Sequence, residues 1–172
     1  MGEKRLLVEG LTVSYAGYFH TKELHKLIRK FTEDRGYSPH DILHEVKVKE
    51  DGRYIILDMR PDKTVSDYVK FRIQIKLVMD KITDAIIEID SKKIKINNGS
   101  VKVTISGVVL TDYESDWQTS AKKLFFKILF DKFIYKKHMD EMDAMLRKDC
   151  TLLRHEISSF LNINKYIKDV HE

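Results

Sequence analysis

The sequence predicts an α+β fold: an antiparallel sheet of about six strands, one helix after the first strand, a long C-terminal helix packed on one face, and a further C-terminal helix. Three observations predict it. Several segments alternate apolar and polar residues with a period of two, the pattern of strands with one buried face. Residues 21–35 and the stretch after Ser115 carry apolar residues at helical spacing instead. The strand-like segments between these helices follow one another without interruption, so they pair antiparallel in one layer.

In chain order, residues 5–19 read as a strand, with Leu11, Val13 and Tyr15 alternating with Thr12 and Ser14; Gly10 marks a bulge and Gly17 an end. Thr21 is placed to cap a helix through Arg35, whose stripe is Leu24, Leu27, Ile28 and Phe31, and Gly36 stops it. Residues 41–50 fit two readings. Pro39 suits the first turn of a helix, whereas Val46 and Val48 alternating with Lys47 and Lys49 favour a strand. Asp51-Gly52 is a turn signal, with RYIILDM as the returning strand. Residues 68–79 form the clearest strand, with Val69, Phe71, Ile73, Ile75 and Leu77 on one side. Asp80-Lys81 is expected to turn, and Ala85, Ile87 and Ile89 mark another strand. Ile94 and Ile96, then Asn97-Asn98-Gly99, then Val101, Val103 and Ile105 predict a hairpin, because Asn-Gly supplies the positive φ that its turn needs.

Ser115 with Gln118 fits a capping box, and Asp116 adds negative charge at the positive end of the helix dipole. No Gly or Pro follows Gly107, so this helix is expected to run toward Lys148 or to break near His138. Uninterrupted, it would be about 50 Å long at about 1.5 Å per residue. Two apolar stripes are expected on it: Ala121, Leu124, Phe125 and Ile128, and separately Phe126, Phe130, Phe133 and Ile134. Six lysines lie between them (Lys122, Lys123, Lys127, Lys132, Lys136 and Lys137). Met139, Met142, Met145 and Leu146 continue a stripe, and Asp149 or Thr151 would cap a further helix bearing Leu153, Ile157, Phe160 and Leu161. The division expected is an α+β domain over 1–137 and a helical extension over 138–172.

The chain has 172 residues, is 42% hydrophobic and carries a net charge of +4, enough apolar content for a core and too little charge to mark a nucleic-acid binder by itself. One cysteine, Cys150, excludes a disulfide framework and a cysteine-rich metal cluster, and it has no visible support as a nucleophile. No signal peptide and no apolar run long enough to span a bilayer is visible, so the expected compartment is the cytoplasm. His20 and His25 are five apart and point to different sides of a helix; His40 and His44 share a face only if 39–45 is helical. His155-Glu156 lacks the second histidine of a zinc-protease motif. Asp112, Glu114 and Asp116 would begin a calcium loop, but neither the glycine nor the bidentate glutamate follows. No phosphate loop, dinucleotide fingerprint or nucleophile elbow is present, so no catalytic residue, metal ligand or cofactor is assigned.

The strand–helix–strands–helix order over residues 5–137 resembles the helix-grip layout of START and Bet v 1-like proteins, which implies a curved sheet wrapping a long C-terminal helix over a cavity. The segment Thr111-Asp112-Tyr113-Glu114-Ser115-Asp116-Trp117 before a long aromatic helix also resembles a group of small archaeal proteins of unassigned activity.

The expected function is therefore a non-enzymatic binding domain. An apolar ligand or lipid, or a protein partner that includes a second copy, would sit between sheet and long helix, on Trp117, Phe125, Phe126, Phe130 and Phe133. Two alternatives use charge. The basic aromatic stretch 121–137 suits an anionic membrane surface, and a basic sheet face including Lys70, Arg72, Lys76, Lys93 and Lys95 suits RNA or the ribosome.

Overall fold

In the computed structural model, the described residues are 3–66, 68–89, 91–111 and 135–165. They are α+β: β1 (Glu3–Phe19), α1 (Thr21–Asp34), β2 (Asp41–Lys49), β3 (Gly52–Met59), β4 (Asp62–Thr64), β5 (Val69–Ile89), β6 (Lys92–Thr111) and α2 (Tyr135–Lys165). The six strands form one antiparallel sheet in the order β1-β6-β5-β3-β2, with β4 paired to β5. The strand reading of 41–50 is the one that forms.

The central hairpin is longer than its local turn signals imply. β5 runs unbroken from Val69 to Ile89, and β6 from Lys92 to Thr111, so Asn97-Asn98-Gly99 lies inside a strand and the chain reverses near Ser91, at φ 63°. Asp80-Lys81 is an irregularity rather than a turn. The register slips between Asp80↔Ser100 and Thr83↔Asn98, and Lys81 takes φ 56°. Gly99 lies opposite the slip, where a Cβ would stand 2.6 Å from Ile82 Cδ1 and 2.9 Å from the Asp80 carbonyl. Glycine is thus required there for a close approach across the ladder, not for a tight turn.

α1 begins without the expected Thr21 cap. His20 is the capping residue and contributes no side-chain bond; instead Asn97 Oδ1 accepts from the Thr21 amide (3.3 Å) and hydroxyl (3.0 Å). The helix ends as expected at Gly36. The Gly36 amide donates to the Glu33 carbonyl and the Tyr37 amide to the Thr32 carbonyl, both at 2.9 Å, a Schellman closure at φ +79°.

α2 is continuous through His138, Asp149 and Thr151, where a break or a new cap is expected from sequence. Its buried residues Met139, Met142, Leu146, Cys150, Leu153, Ile157 and Leu161 repeat every three or four positions without a skip, so one stripe spans the whole helix. Met145 is 48% exposed and lies off it. The expected helix start at Ser115 and its two stripes lie outside the described residues.

α2 packs on β1 and β6, and α1 packs on α2. One core joins Leu24 and Ile28 of α1, Phe71, Ile73, Ile75 and Leu77 of β5, Val103 and Ile105 of β6, and the α2 stripe. Helix and sheet approach closely at Gly107, where a Cβ would stand 2.9 Å from Cys150 Sγ and 3.3 Å from Leu146 Cγ. Helix and sheet are in direct contact there.

Candidate protein interface

β2 closes one edge of the sheet. From Leu43 to Lys49 it pairs with β3 without a slip. It is exposed along its whole length except at the half-buried Glu45. From Leu43 onward, strand alternation sets His44, Val46 and Val48 on one face and Leu43, Glu45, Lys47 and Lys49 on the other, with Ile42 at the slip. Four apolar residues are therefore open to solvent: Ile42 (48%), Leu43 (44%), Val46 (49%) and Val48 (82%). Elsewhere among the described residues, exposed large apolar side chains are scattered singly, as on most proteins.

The charges on β2 are organised by short pairs. Lys47 Nζ lies 2.9 Å from Glu45 Oε1, and that hydrogen bond raises the ammonium pKa above its ordinary value. Lys49 Nζ reaches Asp80 at 3.7 Å and stands 4.5 Å over the Tyr54 ring. Arg29 of α1 approaches Asp41 at 3.8 Å.

Away from this edge, a concavity of about 470 Å³ lies between α1 and α2. Leu27, Phe31 and Phe160 contribute its apolar lining, and Glu23, Lys26, Lys30 and Glu156 its charged surround. The Arg35 guanidinium stacks over Phe31 at 4.5 Å.

Arg35, Tyr37 and Asp149 make a polar brace between the end of α1 and α2. Arg35 Nη1 donates to Asp149 Oδ1 and the Tyr37 hydroxyl to Asp149 Oδ2, each at 2.9 Å. Burial, and then the Asp149 charge, raise the Tyr37 phenol well above its ordinary pKa. The same two causes push the neighbouring Cys150 thiol up to about 12. A protonated, fully buried thiol is a poor nucleophile. The brace ties the exit of α1 to the middle of α2. Sequence reading missed it, because its members lie 112 and 114 residues apart and no local pattern links them.

Of the residues expected to form a site, Trp117, Phe125, Phe126, Phe130 and Phe133 lie outside the described residues, as do the Asp112–Asp116 acidic run and residues 121–134. Lys70, Arg72 and Lys76 sit on β5 opposite Leu110, Val108 and Thr104. Lys93 and Lys95 sit on β6 opposite Glu88 and Ile86. Along β6 the odd-numbered lysines fall on the opposite face from Thr104 and Val108, so the ladder does not gather the five into one surface. Arg72 is held by a two-pronged bond to Asp62, at 2.6 and 2.7 Å. His40 lies in coil and His44 in a strand, so they do not share a helix face. Among the described residues, no group of three His, Cys, Asp or Glu side chains is placed to hold a metal ion, and no helix is long and apolar enough to cross a membrane.

No family model and no curated protein matches this chain.

Proposed function

We propose that this chain is a non-enzymatic binding domain that holds a protein partner at the free edge of β2 by strand addition. The observation that carries this reading is β2 itself, a regular edge strand, open on both faces, with Ile42, Leu43, Val46 and Val48 in solvent. An added strand gains main-chain hydrogen bonds from such an edge and specificity from the alternating side chains. Three side chains about half exposed and Val48 at 82% stand to gain about 3–6 kcal/mol in total, at about 1.5–3 kcal/mol per fully buried side chain. Set against an association cost of about 4–15 kcal/mol, that supports a reversible contact rather than a permanent one.

The edge is the better-supported site among the described residues, and around Gly107 helix and strand leave no room for an apolar guest. The helix-grip comparison stays part of the reading, supported by β1 lying beside the last strand, β6. So does a cytoplasmic setting, in keeping with a lone thiol.

The test places a photo-reactive amino acid at Val48, and separately at Asp140 on the exposed side of α2, and irradiates the protein in extract from its source cells. Adducts from position 48, of the chain with itself or with another protein, are expected, and they should disappear when Val46 is changed to proline. Equal adducts from both positions, or none from position 48, contradict the reading.

A further inference from the structure

We infer that the strand added to β2 is β2 of a second copy of this chain, paired antiparallel about a two-fold axis at Val46. The inference rests on the strand-addition reading and names its partner. Continuing an antiparallel sheet across a two-fold requires the axis to stand perpendicular to the sheet, so each residue faces one on the same face of the other copy. Only registers centred on a residue satisfy this, and the charges choose among them.

With Val46 at the axis, Glu45 of each copy stands opposite Lys47 of the other, twice. With Glu45 at the axis, two carboxylates face each other, with Lys47 there two ammonium groups do, and with Val48 there Lys47 faces Lys49. With His44 at the axis Lys47 meets Asp41, which the slip between Asp41 and Leu43 takes out of line with the ladder. Like charges directly opposite are destabilising and unlike charges stabilising. Glu45 and Lys47 already sit 2.9 Å apart on one face, with side chains 38% and 60% exposed, so both are positioned to pair across the seam. On the other face the same register sets Val46 against Val46 and Val48 against His44, covering the most exposed apolar residue of the strand. The apolar face supplies affinity, and the Glu45/Lys47 alternation supplies register and excludes strands of a different charge pattern. The pairing joins two five-strand paths into one sheet with both helical layers on the same side.

A nine-residue seam is short for an interface, since stable ones bury about 1,200–2,000 Å² in total, so a concentration-dependent dimer is expected. Sedimentation equilibrium of the full chain between about 2 and 200 µM, a range spanning weak association constants, provides the test. The native chain is expected to shift from monomer toward dimer. Glu45→Lys and Lys47→Glu should each weaken association at least tenfold, and the double variant, which restores opposite charges in reversed order, should return it to within about threefold of native. Circular dichroism checks that each variant is folded, and the double variant keeps the test valid if a single swap disturbs β2. A monomer at every concentration overturns the inference, as does a dimer indifferent to the single swaps or one not rescued by the double. If the chain stays monomeric while position 48 crosslinks to another protein, self-pairing fails and strand addition stands. If neither occurs, both fail.

Discussion

The two edges of the sheet are built differently. β1 is the longer edge strand, with 17 residues, but its ladder to β6 slips twice, between Leu6 and Val8 and between Val8 and Leu11. α2 lies on it, and Arg5 grips Asp143 of α2 with two bonds at 2.5 and 2.8 Å. Slips and a covering helix are two of the devices by which proteins blunt a free edge. β2 has one slip, at its start, and then seven residues in unbroken register. Its remaining device is charge, Lys47 and Lys49, and Glu45 offsets part of that. Among the described residues, one edge is defended by structure and the other by a charge pattern that a matching strand can satisfy.

The largest expected difference between the edges is in what truncation costs. Leu146, fully buried where α2 meets β6, should lose about 2–5 kcal/mol of stability on change to alanine, while Val48→Ala should stay within about 0.5 kcal/mol. Urea unfolding at a concentration low enough to keep the chain monomeric makes the comparison. Similar losses at both sites would mean that β2 is not the open edge described. Next comes the brace. Asp149→Ala leaves the Tyr37 hydroxyl and the Arg35 guanidinium without their acceptor and should cost about 1–3 kcal/mol. Tyr37→Phe removes one donor and should cost less; a larger loss from Tyr37→Phe than from Asp149→Ala would contradict the geometry.

A smaller effect separates the edges by pH. The Cys150 thiol titrates near 9 in an unfolded chain and is pushed up to about 12 in the folded one. The unfolded chain therefore gives up its proton first. This contribution to stability is fully present below pH 9 and is lost as pH rises toward 12. Tyr37, also raised, acts in the same direction from about pH 10 upward. The urea midpoint should fall across this range, and Cys150→Ala should shallow the fall between pH 9 and 10. An unchanged slope would show that the thiol does not sense folding. β2 carries neither of these buried groups, so Val48→Ala should leave the slope as it is.

Much of the fold was legible because its signals are local and mutually consistent. Val69 through Leu77 alternate without exception, α1 shows one stripe ending at a glycine, and Asp51-Gly52 turns the chain as its φ preference suggests. The misreadings came where a local signal competed with a long-range one. Asn98-Gly99 suits a hairpin turn, yet nineteen registered pairs between β5 and β6 outweigh it. Asp149 suits a helix cap, yet the stripe from Leu146 through Cys150 to Leu153 carries the helix past it. The candidate interface was the least legible part. The alternation of Val46 and Val48 marks a strand, but only the strand order shows that among the described residues this strand has a neighbour on one side alone.

Hydrogen exchange of the native chain at about 5 and about 200 µM tests the central claim most directly, since backbone amides report pairing without any substitution. Slower exchange at the higher concentration, confined to residues 42–49 and absent from β1, is the predicted result. Exchange in β2 that is the same at both concentrations, or slowing centred on β1 or α2, would contradict it.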